Sequence, residues 1–137
     1  FNYFINISLI DSKYTDSEEN GVEGNKVEFV PNLNLKTGLK FGYKNFLSNI
    51  QYTYLSKQYT DATNAINGNL SGIIGEIPSY DVLDISFSYA YKRFKLEAGI
   101  NNVLDNYYFT RRATGYPGPG IIPSINRNFY TTLQIKL

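Results

Sequence analysis

The chain has 137 residues, a formal net charge of +1, no cysteine and no histidine. The near-neutral charge gives no indication of a nucleic-acid partner, and without cysteine there are no disulfides or thiolate metal sites. Histidine is the commonest general base and metal ligand, so we predict no catalytic residue, no metal site and no directly bound cofactor. Tyrosine and phenylalanine contribute 13 and 9 residues. Aromatic residues form girdles in membrane barrels, whereas they fill the core of soluble β-sandwiches.

The first half of the chain alternates apolar and polar residues with a period of two, which predicts strands. The first strand runs from about Asn2 to Tyr14, and a polar, acidic loop over residues 15–25 follows it. Pro31 marks the start of the second strand, a position at which a strand tolerates proline. This strand ends near Tyr43.

The third and fourth strands are separated by a long loop. After a short turn at residues 44–47, the third strand carries Ile50 and continues to about Tyr59. Residues 60–79 are rich in Asn, Gly and Ser, a composition typical of loops. The fourth strand follows and carries alternating apolar residues over 83–91.

Residues 94–137 form a long predicted hairpin after a minimal turn at 92–93. The alternation loses phase after Asn102, so we predict a bulge at Asn101–Asn102. Residues 111–120 are rich in Gly and Pro, and the prolines lack the N–H groups that a phosphate cradle requires. We therefore predict a stiff, extended loop there. One face of the last strand carries Phe129, Thr131, Leu133, Ile135 and Leu137.

The connections between these six strands alternate between long and short. A soluble β-sandwich has no reason to sort its connections in this way, whereas bacterial outer-membrane barrels place short turns in the periplasm and long loops outside. Six strands are too few to enclose a lumen, and hydrocarbon does not tolerate open sheet edges. The sequence predicts an all-β, antiparallel, up-and-down transmembrane β-barrel segment of six strands. Leu137 is placed at the periplasmic rim, and a soluble β-sandwich is the alternative.

The Gly/Pro-rich loop carries the candidate ligand-binding residues, Arg111, Arg112 and Tyr116. Adjacent guanidinium groups bind a carboxylate or catecholate through bidentate, charge-assisted hydrogen bonds. The alternative is a pair of solvated arginines, or a pair in contact with the phosphates of lipopolysaccharide.

Residues 101–108 read Asn-Asn-Val-Leu-Asp-Asn-Tyr-Tyr. They resemble the N-N-L-F-D-x-x-Y pattern in the penultimate strand of TonB-dependent outer-membrane receptors, with Val103 and Leu104 as conservative departures. The last strand of that family begins G-R-x-(F/Y) and ends in an aromatic residue. Here the arginine and the aromatic of that start are kept, the glycine is not, and the chain ends in leucine. The residues assigned to this C-terminal motif are Asn101, Asn102, Asp105, Tyr108, Arg127, Phe129 and Leu137.

The resemblance implies that residues 1–137 are the C-terminal part of a receptor barrel of about 22 strands. The plug domain and the earlier strands would lie outside these residues. Residues 109–123 resemble receptors for ferric-dicitrate-type siderophores, which implies an active-transport receptor, not an enzyme, that imports a ferric chelate as its transported ligand. The implied location is the outer membrane of a Gram-negative bacterium.

The partners implied by the resemblance are outer-membrane lipid, lipopolysaccharide, the ferric chelate, and TonB through an N-terminal region outside this chain. An alternative within the same class is a TonB-dependent importer of glycans, peptides or cobalamin. Alternatives from other classes are a passive porin and an outer-membrane enzyme barrel.

Overall fold

The computed structural model describes all residues from Phe1 to Leu137. Every element is a strand, and none is a helix with the length and hydropathy needed to span a bilayer. The strands are β1 Asn2–Leu9, β2 Leu33–Tyr43, β3 Phe46–Leu55, β4 Gln58–Tyr59, β5 Glu76–Ile77, β6 Tyr80–Tyr91, β7 Phe94–Asn101, β8 Phe109–Ala113, β9 Gly120–Pro123 and β10 Asn128–Ile135.

Six of these strands form one antiparallel sheet in the order β1-β2-β3-β6-β7-β10. Neighbouring strands of this main sheet are also successive in the chain, apart from the short strands in the loops, so the topology is up-and-down. The predicted all-β, antiparallel class and the six principal strands are therefore confirmed. The remaining strands pair as two small hairpins, β4 with β5 and β8 with β9.

The register of the main sheet separates an apolar face from a polar face. Residues paired across successive strands on the apolar face are Tyr3, Leu39, Ile50, Ile85, Ile100 and Phe129. Their chain neighbours form a parallel row on the other face, Asn2, Lys40, Asn49, Ser86, Gly99 and Tyr130. Because successive side chains point to opposite sides of a strand, this register gives the whole sheet one apolar surface.

No second layer of protein covers that apolar surface. The side chain of Ile5 is 55% exposed and that of Leu133 is 61% exposed. The buried hydrophobic residues are Val22 and Ile77, and both lie outside the main sheet. A soluble β-sandwich buries the facing sides of two sheets in one core, so this single layer argues against that alternative.

The structure corrects several predicted strand boundaries. β1 ends at Leu9 and not near Tyr14, because its partner strand β2 begins only at Leu33. The turn before β3 is shorter than predicted, since Tyr43 already pairs with Phe46. β3 ends at Leu55, and the residues as far as Tyr59 belong partly to the separate strand β4.

The structure also corrects one predicted bulge and adds strands to two predicted loops. The predicted bulge at Asn101–Asn102 is the end of a strand, because Asn102 has φ 52° and starts a turn. The stiff, extended loop predicted over residues 111–120 includes the end of β8 and the first residue of β9, which pair as a hairpin. Likewise, the loop over residues 60–79 contains β5, which pairs back onto β4.

Glycines opposite aromatic rings fix the packing of both outermost strands. A Cβ atom on Gly99 would lie 2.6 Å from the Tyr130 ring, and one on Gly38 would lie 2.4 Å from the Phe4 ring. In each case the glycine is the directly paired residue on the neighbouring strand. The rings therefore lie against bare backbone, an arrangement that stabilises glycine positions in sheets.

Substituting Gly99 with alanine is expected to lower the free energy of unfolding by about 1–3 kcal/mol, because the added methyl group overlaps the Tyr130 ring. The measurement is a guanidinium unfolding midpoint in detergent micelles. Gly42→Ala is the matched control, since its Cβ would lie 3.5 Å from the Leu47 side chain and 4.0 Å from the Phe46 carbonyl oxygen, both ordinary contacts. In the double variant Gly99→Ala/Tyr130→Ala, removing the ring should relieve most of the overlap. The explanation is contradicted if the double variant loses as much free energy of unfolding as the two single variants added together.

Candidate ligand-binding surface

The long connections of the main sheet all lie at one end, which we call the loop end. They comprise residues 10–32, 56–79 and 102–127, referred to below as the first, second and third loops. The opposite end, called the turn end, carries the short turns Lys44–Asn45 and Lys92–Arg93. The connections are thus sorted by length, as the sequence predicts.

Asparagine side chains bind the first loop to the second. Asn64 accepts a hydrogen bond from the Lys26 N–H at 2.8 Å and donates one to the Lys26 carbonyl at 2.8 Å. Asn25 donates to the Ala62 carbonyl at 2.9 Å. Asn64 has φ 55°, a conformation that asparagine tolerates better than most residues. The two loops therefore hold each other through hydrogen bonds between asparagine side chains and backbone groups.

Arg112 connects the third loop to the second. Its Nη1 donates to the Gly72 carbonyl at 2.9 Å and its Nη2 to the Glu76 carbonyl at 3.0 Å. The guanidinium carbon also lies 5.2 Å from the centre of the Phe109 ring. Gly75 has φ 136°, and a Cβ atom there would lie 3.1 Å from Nη2. Only glycine combines that backbone angle with room for the guanidinium group.

The ion pair next to this contact does not neutralise Arg112. The Glu76 carboxylate binds the Lys57 ammonium group at 3.0 Å, while Arg112 uses only the Glu76 carbonyl. The hydrogen bond to Glu76, followed by one to Tyr59, raises the pKa of Lys57 above its ordinary value. The Glu76 carboxylate is thus paired with Lys57, and the guanidinium of Arg112 forms no ion pair.

The structure divides the predicted ligand-binding residues into two kinds. Arg111 is exposed and takes part in no ion pair. Tyr116, near the tip of the β8–β9 hairpin, is 101% exposed. Both side chains are available to a ligand, whereas the two terminal nitrogens of Arg112 already donate hydrogen bonds to loop carbonyls. Two adjacent guanidinium charges nevertheless remain uncompensated at this site.

The turn after β7 is organised around a buried asparagine. Asn102 is 2% exposed, and it exchanges two hydrogen bonds with the Asn106 backbone, at 2.9 and 3.1 Å. The Asp84 carboxylate accepts from the Asn102 N–H at 2.9 Å. The Asp81 carboxylate and carbonyl accept from the Asn106 amide at 3.2 and 3.0 Å. Two aspartates that the sequence places on opposite faces of β6 thus both bind this turn.

Other residues of the C-terminal motif connect this turn to the last strand. The Asp105 carboxylate accepts from the Arg127 backbone N–H at 3.1 Å and lies 3.7 Å from the Arg127 guanidinium group. Asn101 donates to the Asn128 side chain at 2.9 Å. These contacts fasten the start of β10 to the end of β7 at the loop end of the sheet.

The remaining motif residues lie at three separate places. The Tyr108 ring stacks on Tyr80 with centroids 4.5 Å apart. Phe129 lies on the apolar face opposite Ile100, and Leu137 is fully exposed beyond the end of β10. Apart from the exposed Phe129 and Leu137, the motif residues make contacts within the protein that hold the rim and the last strand together.

Residues 1–103 match the protein family described as "TonB dependent receptor-like, beta-barrel". The chain belongs to this family. The match covers β1 to β7 and ends inside the turn that follows β7. Most of it precedes the C-terminal residues on which the sequence resemblance rests, and recognition as a TonB-dependent receptor is confirmed. A comparison with curated protein sequences gave no match.

Several solved structures share this fold. The unliganded ferric citrate transporter FecA is 24% identical with a TM-score of 0.75, covering 86% of this chain and 18% of its own. The ferric yersiniabactin uptake receptor FyuA from Yersinia pestis is 19% identical with a TM-score of 0.74, covering 97% and 20% respectively. The siderophore receptor PiuA from Acinetobacter baumannii is 22% identical with a TM-score of 0.74, covering 96% and 19%.

The chain therefore spans about a fifth of the length of these receptors. At these identities the likeness establishes the fold, a segment of a TonB-dependent receptor barrel. The family is one of receptors and transporters, and the alternating faces and sorted connections of this chain agree with its architecture.

Proposed function

We propose that this chain is the C-terminal part of the barrel of an outer-membrane TonB-dependent receptor that imports a ferric siderophore of the ferric-citrate type. The complete barrel would have about 22 strands, and the plug domain and the TonB-contacting region would lie outside residues 1–137. Family membership supports the receptor class. The similarity to ferric citrate and siderophore receptors supports the substrate class.

The dimensions of the apolar face are consistent with a membrane. Along β3, aromatic residues occur at Phe46 near the turn end and at Tyr54 near the loop end. The separation of about eight residues corresponds to roughly 27 Å along a strand. With a tilt of about 40°, this spans roughly 20 Å, close to the apolar band of about 25 Å in such barrels. The loop end would then face the outside of the cell and the turn end the periplasm.

The observation that carries the substrate class is the exposed, uncompensated guanidinium group of Arg111 in the third loop, next in the chain to the fixed charge of Arg112. A ferric citrate complex presents carboxylate oxygens and net negative charge, which guanidinium groups bind through paired hydrogen bonds. Arg111 has all its donors free, while Arg112 contributes positive charge from a fixed position. Because the loops bind one another before ligand arrives, little conformational entropy is lost on binding.

The resemblance to the family supplies the remaining steps of the proposed cycle. The chelate binds outside, between the loops and the plug, and TonB transmits the proton-motive force by pulling on the N-terminal region. The polar face of the sheet would line the lumen around the plug. The iron chelate in this scheme is cargo, and the residues described here act only in binding and orientation.

Transport by the complete receptor tests this proposal. Cells that express it should accumulate radiolabelled ferric citrate, and deletion of TonB should abolish the accumulation. Uptake that persists without TonB would identify a passive porin. Uptake of a labelled oligosaccharide, peptide or cobalamin, with none of ferric citrate, would assign the receptor to another substrate class.

A single substitution tests the proposed role of Arg111. Arg111→Ala is expected to weaken ferric citrate binding about tenfold, which corresponds to the loss of one charged hydrogen bond of about 1.5 kcal/mol. Isothermal titration with the purified complete receptor provides the measurement. Arg93→Ala at the turn end is the matched control and should leave the affinity unchanged. Equal affinities for all three proteins would rule out a ligand contact by Arg111.

A further inference from the structure

The two short turns share a sequence that neither the fold nor the proposed transport explains. Residues 43–46 read Tyr-Lys-Asn-Phe and residues 91–94 read Tyr-Lys-Arg-Phe. In both turns the tyrosine pairs across the hairpin with the phenylalanine. Lys44 and Lys92 adopt φ values of 50° and 52°, a region in which lysine is uncommon and glycine or asparagine is favoured. The lysines therefore occupy these positions at a conformational cost.

Each turn lysine lies over the ring of the tyrosine that precedes it. The Lys44 ammonium is 5.3 Å from the centre of the Tyr43 ring, and that of Lys92 is 5.4 Å from the centre of the Tyr91 ring. An ammonium group has three donors, and the ring face satisfies only one side of it. Neither lysine forms an ion pair, so each retains donors directed to solvent.

The turns lie side by side, and further cations join them. β3 pairs with β6 from Phe46 to Tyr89, which brings the two turns to the same edge. Arg93 is part of the second turn, and its carbonyl accepts from the Lys136 N–H at 2.8 Å. We call Lys44, Lys92, Arg93 and Lys136 the turn-end cationic rim.

No acidic side chain neutralises this rim. Every aspartate and glutamate other than Glu97 lies within residues 11–28 or 61–84, or at position 105, towards the loop end. Glu97 forms an ion pair with Lys95 on its own strand. The four cations of the turn end therefore form no ion pair with a side-chain carboxylate.

Exposed aromatic side chains adjoin the cations on the apolar face. Tyr43 is 62% exposed and Tyr91 is 54% exposed, although they belong to the sheet. Tyrosine at such a level has its ring in hydrocarbon and its hydroxyl in the headgroup region of a bilayer. The cations beside these rings would then lie at the depth of the lipid phosphates.

We propose that the turn-end cationic rim binds the phosphate of anionic phospholipid headgroups in the periplasmic leaflet. The chemistry required is a phosphate attached to an acyl-chain anchor, because the cations adjoin exposed rings rather than a polar pocket. The inference rests on the membrane placement in the proposed function, and it is independent of the transported substrate. It also explains why lysine occupies a turn position that favours glycine or asparagine.

The test uses the complete receptor in mixed micelles containing equal amounts of phosphatidylglycerol and phosphatidylcholine, with lipids retained per receptor counted by native mass spectrometry. The wild type should retain phosphatidylglycerol preferentially. Lys44→Asn/Lys92→Asn/Arg93→Gln should lose the preference by roughly a hundredfold, at about fivefold per cation. Asparagine favours the observed backbone angles, so this variant removes charge without opposing the turns.

A matched control removes three cations at the loop end, Lys13→Gln/Lys26→Gln/Lys57→Gln, and should leave the phosphatidylglycerol preference intact. Lys44→Arg/Lys92→Arg should retain it as well, since the charge is preserved. The proposal would be overturned if both triple variants lost the phosphatidylglycerol preference equally, or if neither triple variant lost it. Displacement of the lipid by excess inorganic phosphate would overturn the choice of a lipid and leave a site for free phosphate.

These outcomes can be separated from failure of the proposed function. If the wild type shows the lipid preference and does not bind ferric citrate, only the substrate assignment fails. If ferric citrate is bound and the turn-end variant behaves as the wild type in lipid retention, only the lipid inference fails. A wild-type protein that does not enter micelles or membranes would contradict both.

Discussion

Replacing Asn102 with alanine is expected to lower the free energy of unfolding of the receptor by about 3 kcal/mol. The side chain is 2% exposed and makes two hydrogen bonds with Asn106, which contribute about 1 kcal/mol each. Alanine at φ 52° adds roughly 1 kcal/mol of backbone strain. The measurement is the guanidinium unfolding midpoint in detergent micelles, together with the heat-dependent shift in gel mobility that folded barrels show.

Two further substitutions separate the contributions at this position. Asn102→Gly removes the hydrogen bonds and relieves the backbone strain, so it should cost about 2 kcal/mol. Asn102→Asp keeps the acceptor for the Asn106 N–H and loses the donor, but it brings a carboxylate close to Asp84. It should therefore be no more stable than the glycine variant. If alanine and glycine are equally destabilising, backbone strain does not contribute.

Arg112→Ala is expected to separate the second and third loops while leaving the barrel folded. Two hydrogen bonds from a charged group to carbonyls are lost, about 3 kcal/mol in total for a partly exposed group. Opening of the loop contact should become roughly a hundredfold more frequent. Amide hydrogen exchange measures this directly at Gly72 and Gly75, whose N–H groups bind Asn69 and Thr60 within the second loop.

Arg112 should affect ligand binding indirectly, by holding the loops in position, whereas Arg111 should affect it through direct contact with the ligand. Arg112→Ala should weaken ferric citrate binding and accelerate exchange in the second loop. Arg111→Ala should weaken binding with exchange unchanged. Arg112→Lys should resemble the alanine variant, because one ammonium group does not reproduce the two diverging donors of a guanidinium group. Slow exchange in Arg112→Ala would show that Arg112 is not what holds the loops together.

The strands of the main sheet were predictable because each carries a long, regular alternation. β10 pairs with β7 so that Leu133 faces Leu96 and Thr131 faces Ala98, as two amphipathic strands with matched apolar faces must do. The loop sorting was predictable too, since turn residues separate the apolar runs at very different intervals. These signals are local, and they survive in an isolated sequence.

The loop strands were not predictable in this way. β4 and β5 have only two residues each, too few to show a period. The pairing of Gln58 with Ile77 depends on the course of the loop between them. The bulge predicted at Asn101–Asn102 failed for a related reason. Loss of alternation marks both a bulge and the end of a strand, and the left-handed conformation of Asn102 decides between them.

The contacts of the candidate site were also beyond sequence reasoning. Adjacent arginines at positions 111 and 112 look equivalent in the chain, but alternation in β8 directs them to opposite sides. Only the folded loops place the Gly72 carbonyl within reach of Arg112. Asn64 and Asn106 were missed as well, although the unusual richness of the loops in asparagine was a usable signal, since asparagine both adopts left-handed angles and binds backbone groups.

The glycines opposite Tyr130 and Phe4 determine how the outermost strands align with their neighbours. A shift of one residue would exchange the apolar and polar faces, so the proposed membrane environment of the apolar face would oppose it. A shift of two residues leaves the same side chains on the apolar face, so hydrophobicity does not oppose it. It would move the Tyr130 ring from Gly99 onto Glu97 or Asn101, where a Cβ atom occupies the space that the ring requires.

The same shift at the other edge would place Phe4 on Lys36 or Lys40 instead of Gly38. Each outermost strand thus has one alignment in which its aromatic ring lies flat on the backbone. In the complete barrel that we propose, these two strands would be the ones that pair with further strands during membrane insertion. A single glycine in each neighbouring strand therefore gives the assembling barrel a means of rejecting the even-numbered misalignments that hydrophobicity alone accepts.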